Sequence, residues 1–479
     1  MSKGTKDILL ERIREGAGLS LRERIILTAY LSVPAMLAQL MQILMEYIDA
    51  AMVGSLGATA SASIGLVSSS TWLMGGLCNS VGAGFCVQVA HQIGAKRNQE
   101  ARNILRIGMV ASLAFSILLC AIGLAISPYL PHWLGGSPEI VDDASIYFAI
   151  FTGMIPLMML LTLSIGMLRS VGNVKVPSIL LSVACVLDVV FNSIFIFHFH
   201  MGVLGAAIGS ALAYFLIALV TTAYLLLYND TLKLSLDKKG ANEPSNESLT
   251  ESNQPNEKTK QRLVRILKKW WHIAWPMGAE HFVMCAAQIA STIIIAPLGT
   301  IAIAANAFGI IIEGLCYMPG FGIADAATTL VGQSIGAQRT PLARSFARIS
   351  VGMGMIVMTV MGIIMFVGAP YVMALMTPDL EVQALTTYVL RIEAFAEPMF
   401  AAAIVSYGAF VGAGDTLVPC GMNLASVWLV RISLALIFTK VLGYGLVGYW
   451  IAMAIELGIR GTIFLLRLRS GSWTVKMRI

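Results

Sequence analysis

The sequence has little charge. Only 12% of its 479 residues are Asp, Glu, Lys or Arg, whereas soluble domains carry roughly 25%. It also lacks a CxxC pair among its seven cysteines and contains no GxxxxGK[ST] motif. The low charge excludes an ordinary soluble domain, and the missing motif argues against a P-loop ATPase. The isolated cysteines are expected to be free thiols packed as small apolar groups.

Apolar sequence, by contrast, is abundant: 57% of the residues are hydrophobic, and the mean hydropathy is +0.79. Crossing a bilayer takes about 20 mostly apolar residues per helix. We therefore predict an all-α integral membrane protein with twelve transmembrane helices, because the apolar stretches lack the alternation of barrel strands. The twelve stretches begin near Ile25, Ala58, Ile104, Ala144, Val176, Val203, Lys268, Ile301, Phe346, Thr386, Val418 and Gly445.

The charges of the connecting loops predict the orientation. Loops with an excess of Lys and Arg remain in the cytoplasm. We expect both termini to be cytoplasmic in a multi-pass protein of the plasma (inner) membrane, and we assign the +6 net charge to these loops rather than to a nucleic-acid surface. The basic loop residues include Lys96, Arg97, Arg102, Arg169, Lys175, Arg339, Arg344 and Arg467, and the acidic residues of the alternate loops include Glu139, Asp142, Asp143, Asp379 and Glu381.

The chain contains an internal duplication at a constant offset of 242 residues. Four of the six prolines in its first half fall on a proline at this offset, namely Pro34 on Pro276, Pro128 on Pro370, Pro156 on Pro398 and Pro177 on Pro419. Six helices per half is an even number, so we predict two parallel six-helix repeats, an architecture of secondary transporters. The expected boundaries are 1–228 and 263–479, joined by a disordered hydrophilic cytoplasmic linker at 229–262.

Carboxylates inside the predicted helices do not follow the repeat. An ionisable group within a span costs about 2.5–3.5 kcal/mol on insertion scales, so it is expected to face a cavity or a partner. With no ATP-binding motif, we expect transport to be coupled to an ion gradient or to be passive. The residues that break the repeat are Asp49, Asp188, Glu280, Glu313, Glu393 and Glu397, opposite Ser291, Val430, Ala38, Thr71, Phe151 and Ile155.

Helices 1 and 5 are predicted to form an ion-coupling site. Gln42, Glu46 and Asp49 lie at spacings that keep one face of helix 1, and Asp188 and Asn192 are one helical turn apart. A buried carboxylate can exchange a proton for a cation, so we assign ion coupling to Asp49, Asp188, Asn192 and Glu46, with Na⁺ at Asp49 and Asp188 as one option. The alternative is that Glu46 and Asp49 only cap the outer end of the helix.

The second half is predicted to hold cationic cargo. We assign cargo binding to Glu280, near mid-membrane, to Glu393 and Glu397 on one face of helix 10, and to Glu313. The alternatives are that Glu393 pairs with Arg391, or that Gln288 holds Glu280 as structural support. Gln42 and Gln288 complete the predicted cargo site, while Asp325 and the aromatic residues Trp72, Tyr47 and Tyr317 are weaker candidates.

Two glycine-rich stretches are expected to interrupt helices at matching positions of the halves. They are Pro319-Gly320-Phe321-Gly322 and Gly75-Gly76 to Gly84, and such breaks are typical of transport sites. Two enzyme-like motifs are rejected because each falls at a helix end of a membrane segment. They are the GxSxG match around Ser334 and the Gly-Ala-Gly-Asp stretch that ends at Asp415. We predict no enzyme, no cofactor and no structural metal.

These features resemble the bacterial multidrug and toxic compound extrusion (MATE) transporters. The resemblance rests on a proline followed by Asp49 in helix 1, on MPGFG at 318–322, LVGQSIGA at 330–337 and VGAGDTLVP at 411–419. It implies two lobes around a central cleft, alternating access, and export of small organic cations in exchange for H⁺ or Na⁺. Asp49 and Glu280 match acidic residues of the family, whereas the order Asp188 then Asn192 departs from its pattern.

The resemblance leaves one related alternative, a flippase for a lipid-linked precursor. Its anionic cargo would require a cluster of basic residues at mid-depth, and the sequence offers chiefly Arg391 and Arg431. We also expect the protein to be a monomer in the lipid bilayer that binds neither ATP nor nucleic acid.

Overall fold

A computed structural model describes residues 4–233 and 255–474, which form helices and no β-strand. The helices are α1 (Thr5–Glu15), α2 (Leu21–Gly54), α3 (Ala58–Gly94), α4 (Asn98–Ile126), α5 (Leu130–Trp133), α6 (Pro138–Ser170), α7 (Lys175–His198), α8 (Gly202–Tyr228), α9 (Pro255–Ile295), α10 (Thr300–Gly336), α11 (Thr340–Met376), α12 (Leu380–Glu393), α13 (Glu397–Gly412), α14 (Leu417–Val441) and α15 (Gly445–Ser470).

The all-α membrane prediction is confirmed. Within the described ranges, ten helices are long and apolar enough to cross a membrane, and α12 with α13 makes an eleventh as a bent pair. The remaining long helix, α15, carries Glu456 and Arg460 near its middle. Large apolar side chains such as Val110, Ile356 and Leu429 are exposed on the outside of the bundle. Such a surface is stable against lipid but not against water.

The helix boundaries follow the 242-residue offset. Helix α3 and helix α10 begin and end at equivalent residues, and so do α6 and the α12–α13 pair. The repeat extends to the backbone, since Gly57 (φ 115°) and Gly299 (φ 97°) precede α3 and α10 in a conformation that favours glycine. The first residues of α2 are fixed by a capping box between Ser20 and Glu23.

The predicted linker at 229–262 falls largely on residues 234–254, outside the described residues. From Pro255 the chain is helical, so the first helix of the second half begins earlier than predicted. The polar start of α9 is held against the first half, because Arg262 forms an ion pair with Glu100 of α4. From hydrophilic composition alone, a linker cannot be distinguished from the part of a helix that extends beyond the membrane.

The prediction of breaks in α3 and α10 is wrong, because both helices are continuous. Their glycines instead allow close helix contacts: a Cβ at Gly76 would meet His281, and one at Gly322 would meet the backbone of Met36. The break lies between α12 and α13, which meet at 58°.

The α12–α13 bend occurs just before Pro398, whose missing N–H removes a helical hydrogen bond. Pro156, at the equivalent repeat position, leaves α6 continuous, so proline alone does not decide the bend. Glu393 and Glu397 lie on either side of the bend and are fully buried, whereas Phe151 and Ile155 occupy the equivalent positions of the first half.

The two ends of the described chain meet at one face of the bundle, which we call the terminal face. It is formed by α1, the start of α11 and the end of α15. Arg339 donates from Nη1 to the carbonyl of Arg12 at 3.2 Å, and Arg344 donates from Nη2 to the carbonyl of Gly471 at 3.1 Å. One helix end therefore contacts both the N-terminal helix and the C-terminal segment.

Helices α3 and α10 cross in close contact at the terminal face. A Cβ at Gly336 would lie 2.0 Å from the carbonyl oxygen of His91, and one at Gly94 would lie 2.1 Å from that of Gln333. Gln333 also donates from Nε2 to the carbonyl of Ser170 at 2.8 Å. The two halves are therefore in direct backbone contact at this face.

Candidate functional site

In the first half, α2, α7 and α8 bring four polar side chains together. The amide nitrogen of Asn192 donates to Asp49 Oδ1 at 2.9 Å, to Asp188 Oδ2 at 3.2 Å and to Ser210 Oγ at 3.2 Å. Asp188 and Asn192 are fully buried, while Asp49 is half-buried. The structure thus joins three of the four residues assigned to ion coupling and adds Ser210, which the sequence analysis missed.

This first-half site has unsatisfied acceptors. Asp188 Oδ1 and Asn192 Oδ1 are buried and make no hydrogen bond. Gly209 of α8 allows the approach, because a Cβ there would lie 2.1 Å from Asn192 Oδ1. A buried oxygen without a donor is costly. The Asp188 oxygen is therefore suited to receive a proton or a cation, and the Asn192 oxygen is suited to receive a cation.

Glu46 and Gln42 lie apart from the hydrogen-bonded group. Both are exposed side chains of α2. Tyr47, on an adjoining face of α2, donates to the carbonyl of Ile311 at 2.5 Å. Gln39, which shares a face with Gln42 and Glu46, donates to Asp325 Oδ2 at 3.3 Å, so that face is directed toward the second half. Glu46 and Gln42 therefore line the space between the halves.

In the second half, Glu280 of α9 is held by two hydrogen bonds. Tyr407 of α13 donates to its Oε2 and Asn423 of α14 to its Oε1, each at 2.6 Å. Gln288 does not hold Glu280, because its side chain is exposed two turns further along α9. Neither Tyr407 nor Asn423 was identified from the sequence, because neither carries a charge or belongs to a motif.

Glu313, Glu393 and Glu397 are buried close to one another at the α12–α13 bend. Glu393 and Glu397 are fully buried, and none of their four carboxylate oxygens makes a hydrogen bond. The suggested Glu393–Arg391 pair is wrong. Arg391 turns away, donates to the carbonyl of Phe366 at 3.3 Å and lies over its ring.

A buried ion network lies beside these carboxylates. Glu456 of α15 accepts from Arg431 Nη2 at 2.7 Å and pairs with Arg460 Nε at 3.0 Å. Glu456 and Arg460 were not identified from the sequence, and the basic residues at this depth are more numerous than predicted. Both arginines are engaged by Glu456, so they do not form the basic cluster that an anionic cargo would need.

The aromatic candidates lie at contacts between helices. Trp72 of α3 meets His281 of α9 edge-on, with ring centroids 5.6 Å apart. Tyr317 packs edge-on against Phe400 at 5.3 Å. In residues 4–233 and 255–474, no group of three or more His, Cys, Asp or Glu side chains is arranged to hold a metal ion.

The two enzyme-like motifs lie in helical packing. Ser334 is fully buried, and its hydroxyl donates to the carbonyl of Leu330 at 2.7 Å. Asp415 is buried and ion-paired with Arg467.

The fold has two six-helix halves that contact each other, and carboxylates are buried inside each half. These features define a multi-pass membrane transporter. The MatE family model matches residues 34–194 and again 276–437, once in each half. The chain belongs to the MatE family, as its motifs indicated.

Two relatives are similar in sequence to this chain over nearly its full length. A protein of Thermotoga maritima named "Probable multidrug resistance protein NorM" is 26% identical over 448 residues, which cover 92% of each chain. A protein of the same name from Halalkalibacterium halodurans is 25% identical and covers 91% of this chain and 92% of its own. These relatives do not support the flippase alternative.

A solved structure described as the outward-facing conformation of a multidrug resistance MATE family transporter is similar in fold. Its TM-score is 0.86 at 20% identity, over 98% of this chain and 99% of that one.

Proposed function

We propose that the protein is a secondary active multidrug efflux antiporter that exports organic cations in exchange for H⁺ or Na⁺ by alternating access. The observation that carries this proposal is the hydrogen-bonded group of Asp49, Asp188 and Asn192, which has two buried acceptor oxygens without donors. The relatives named as multidrug resistance proteins support the cargo class.

The coupling ion binds in the first half. Asp49 supplies the half-buried carboxylate that an incoming ion meets, and Asp188 and Asn192 supply the unpaired oxygens behind it. Glu46, exposed one turn before Asp49, attracts cations to this site. Aspartate oxygens accept H⁺ or Na⁺ and the amide oxygen can coordinate Na⁺, so the proposal includes both ions.

The cargo binds between the halves and in the second half. Glu280 is the primary anionic contact, oriented by Tyr407 and Asn423. Glu313, Glu393 and Glu397 form a second acidic group, buried at the α12–α13 bend, and Gln42 and Gln288 supply exposed amides. Binding of the ion favours one orientation of the halves and binding of cargo the other, so each shifts the same equilibrium.

The terminal face is cytoplasmic under this proposal. It carries basic residues such as Lys96, Arg97 and Arg339 in its connections, as the positive-inside rule requires. The protein then resides in the plasma (inner) membrane as a monomer, with cargo expelled at the opposite face.

Glu280→Gln is expected to weaken binding of ethidium to the purified protein by about tenfold, or about 1.4 kcal/mol. The amide preserves the shape of the side chain but removes the charge that the cation needs. Titration of ethidium fluorescence in detergent measures the dissociation constant. Glu381→Gln, an exposed residue at the start of α12, is the control and should bind as the wild type does. Equal affinity in Glu280→Gln and the wild type would remove Glu280 from the cargo site.

A further inference from the structure

An ion pair joins the halves near the terminal face. Arg169 lies next to the last residue of α6 in the first half, and its Nη1 is 2.5 Å from Oδ2 of Asp325 in α10 of the second half. Gln39 of α2 donates to the same oxygen at 3.3 Å. One carboxylate oxygen of the second half is therefore bound by two helices of the first.

Neutral hydrogen bonds hold the same two helices together. Thr329 donates to the carbonyl of Arg169 at 3.2 Å, and Gln333 donates to the carbonyl of Ser170 at 2.8 Å. Helix α10 therefore docks on the end of α6 through contacts that do not depend on charge.

The repeat shows that docking at this depth does not require an ion pair. At the 242-residue offset, Arg169 corresponds to Val411 and Asp325 to Ala83. Val411 packs in an apolar cluster with Val87, Ile273 and Met277, and Ala83 lies against it. The Arg169–Asp325 ion pair is therefore present at only one of the two equivalent positions of the repeat.

Asp325 is only partly covered by its two partners from the first half. Its side chain is 33% exposed, and that of Arg169 is 15% exposed. Gln42 and Glu46, on the α2 face that includes Gln39, are exposed toward the space between the halves. A cation there can reach the Asp325 carboxylate and compete with Arg169 for it.

The geometry points to the Arg169–Asp325 pair as a gate that a cationic cargo opens. The inference rests on the proposed function, in which the cargo is an organic cation. Cargo that enters at the terminal face pairs with Asp325 in place of Arg169, and the ion pair re-forms when the cargo leaves that carboxylate. While the terminal face is closed, the pair stabilises it and prevents the coupling ion from leaking through.

The test measures ion flux without cargo in proteoliposomes, beside ethidium exchange. Asp325→Asn and Arg169→Gln are each expected to raise cargo-free flux by about tenfold, within the range of about 5 to 150-fold typical of coupled equilibria. The swapped double variant, Arg169→Asp with Asp325→Arg, should restore low leak but not exchange, because a cationic side chain then faces the cargo. Glu100→Gln breaks the exposed cross-half pair with Arg262 and should leave the leak unchanged.

Thermal melting separates a gate from a structural contact. If the single variants melt at lower temperature without leaking, and the swap restores exchange in full, the pair only holds the halves together and the proposal is overturned. The leak is measured without cargo, so its outcome is distinguishable from the outcome of the exchange assay. A wild type that exchanges no organic cation refutes that function, whereas a wild-type leak level in Asp325→Asn refutes the gate.

Discussion

Asp49→Asn is expected to reduce ion-driven exchange of organic cations by about 100-fold or more, the scale of a coupling free energy of about 3 kcal/mol. The amide has the shape of the carboxylate, and its oxygen can still accept the hydrogen bond that Asn192 now gives Asp49 at 2.9 Å. The site therefore remains assembled, but it no longer carries the charge that holds a proton or Na⁺. Ethidium exchange in proteoliposomes measures the loss.

Asp142→Asn is the matched control, because Asp142 is an exposed residue near the start of α6. It should exchange cations at the wild-type rate. The melting temperature of Asp49→Asn should stay near that of the wild type. Unimpaired exchange in a well-folded Asp49→Asn protein would exclude Asp49 from coupling and favour its alternative role as a helix-end cap.

Gly336→Ala is expected to prevent the terminal face from closing and to abolish exchange. The added Cβ would lie 2.0 Å from the carbonyl oxygen of His91, a backbone atom that cannot rotate away. Overpacking costs about 1–3 kcal/mol, and the close contact with backbone places this change at the upper end. The melting temperature should fall, and exchange should be lost even where the protein inserts.

Gly352→Ala provides the control, because a Cβ at Gly352 of α11 meets nothing within 4 Å. This variant should melt at or slightly above the wild-type temperature, since alanine favours a helix. If Gly336→Ala behaved like Gly352→Ala, the close crossing of α3 and α10 would not be a requirement of the transport cycle.

The sequence predicted the helices well because lipid imposes a strong pattern. Each span needs a long apolar stretch, and the 242-residue offset carries α3 onto α10 and α6 onto α12–α13. The position of the bend was not predictable from glycine and proline alone. Gly76 and Gly322 serve close packing, whereas the bend lies beside Pro398.

More of the first-half site than of the second-half site could be predicted from the sequence. Asp188 and Asn192 are one turn apart on the same helix, so only their pairing with Asp49 had to be inferred. Glu280, in contrast, is held by Tyr407 and Asn423, more than a hundred residues away. Such partners carry no local signal in a single sequence.

Exchange of organic cations for H⁺ or Na⁺ can be measured with wild-type protein in liposomes loaded with ethidium, with a pH gradient and a Na⁺ gradient imposed separately. We expect at least one gradient to drive the dye across the membrane and to be dissipated in the process. Dye movement under neither gradient would show that the protein does not exchange organic cations for either ion.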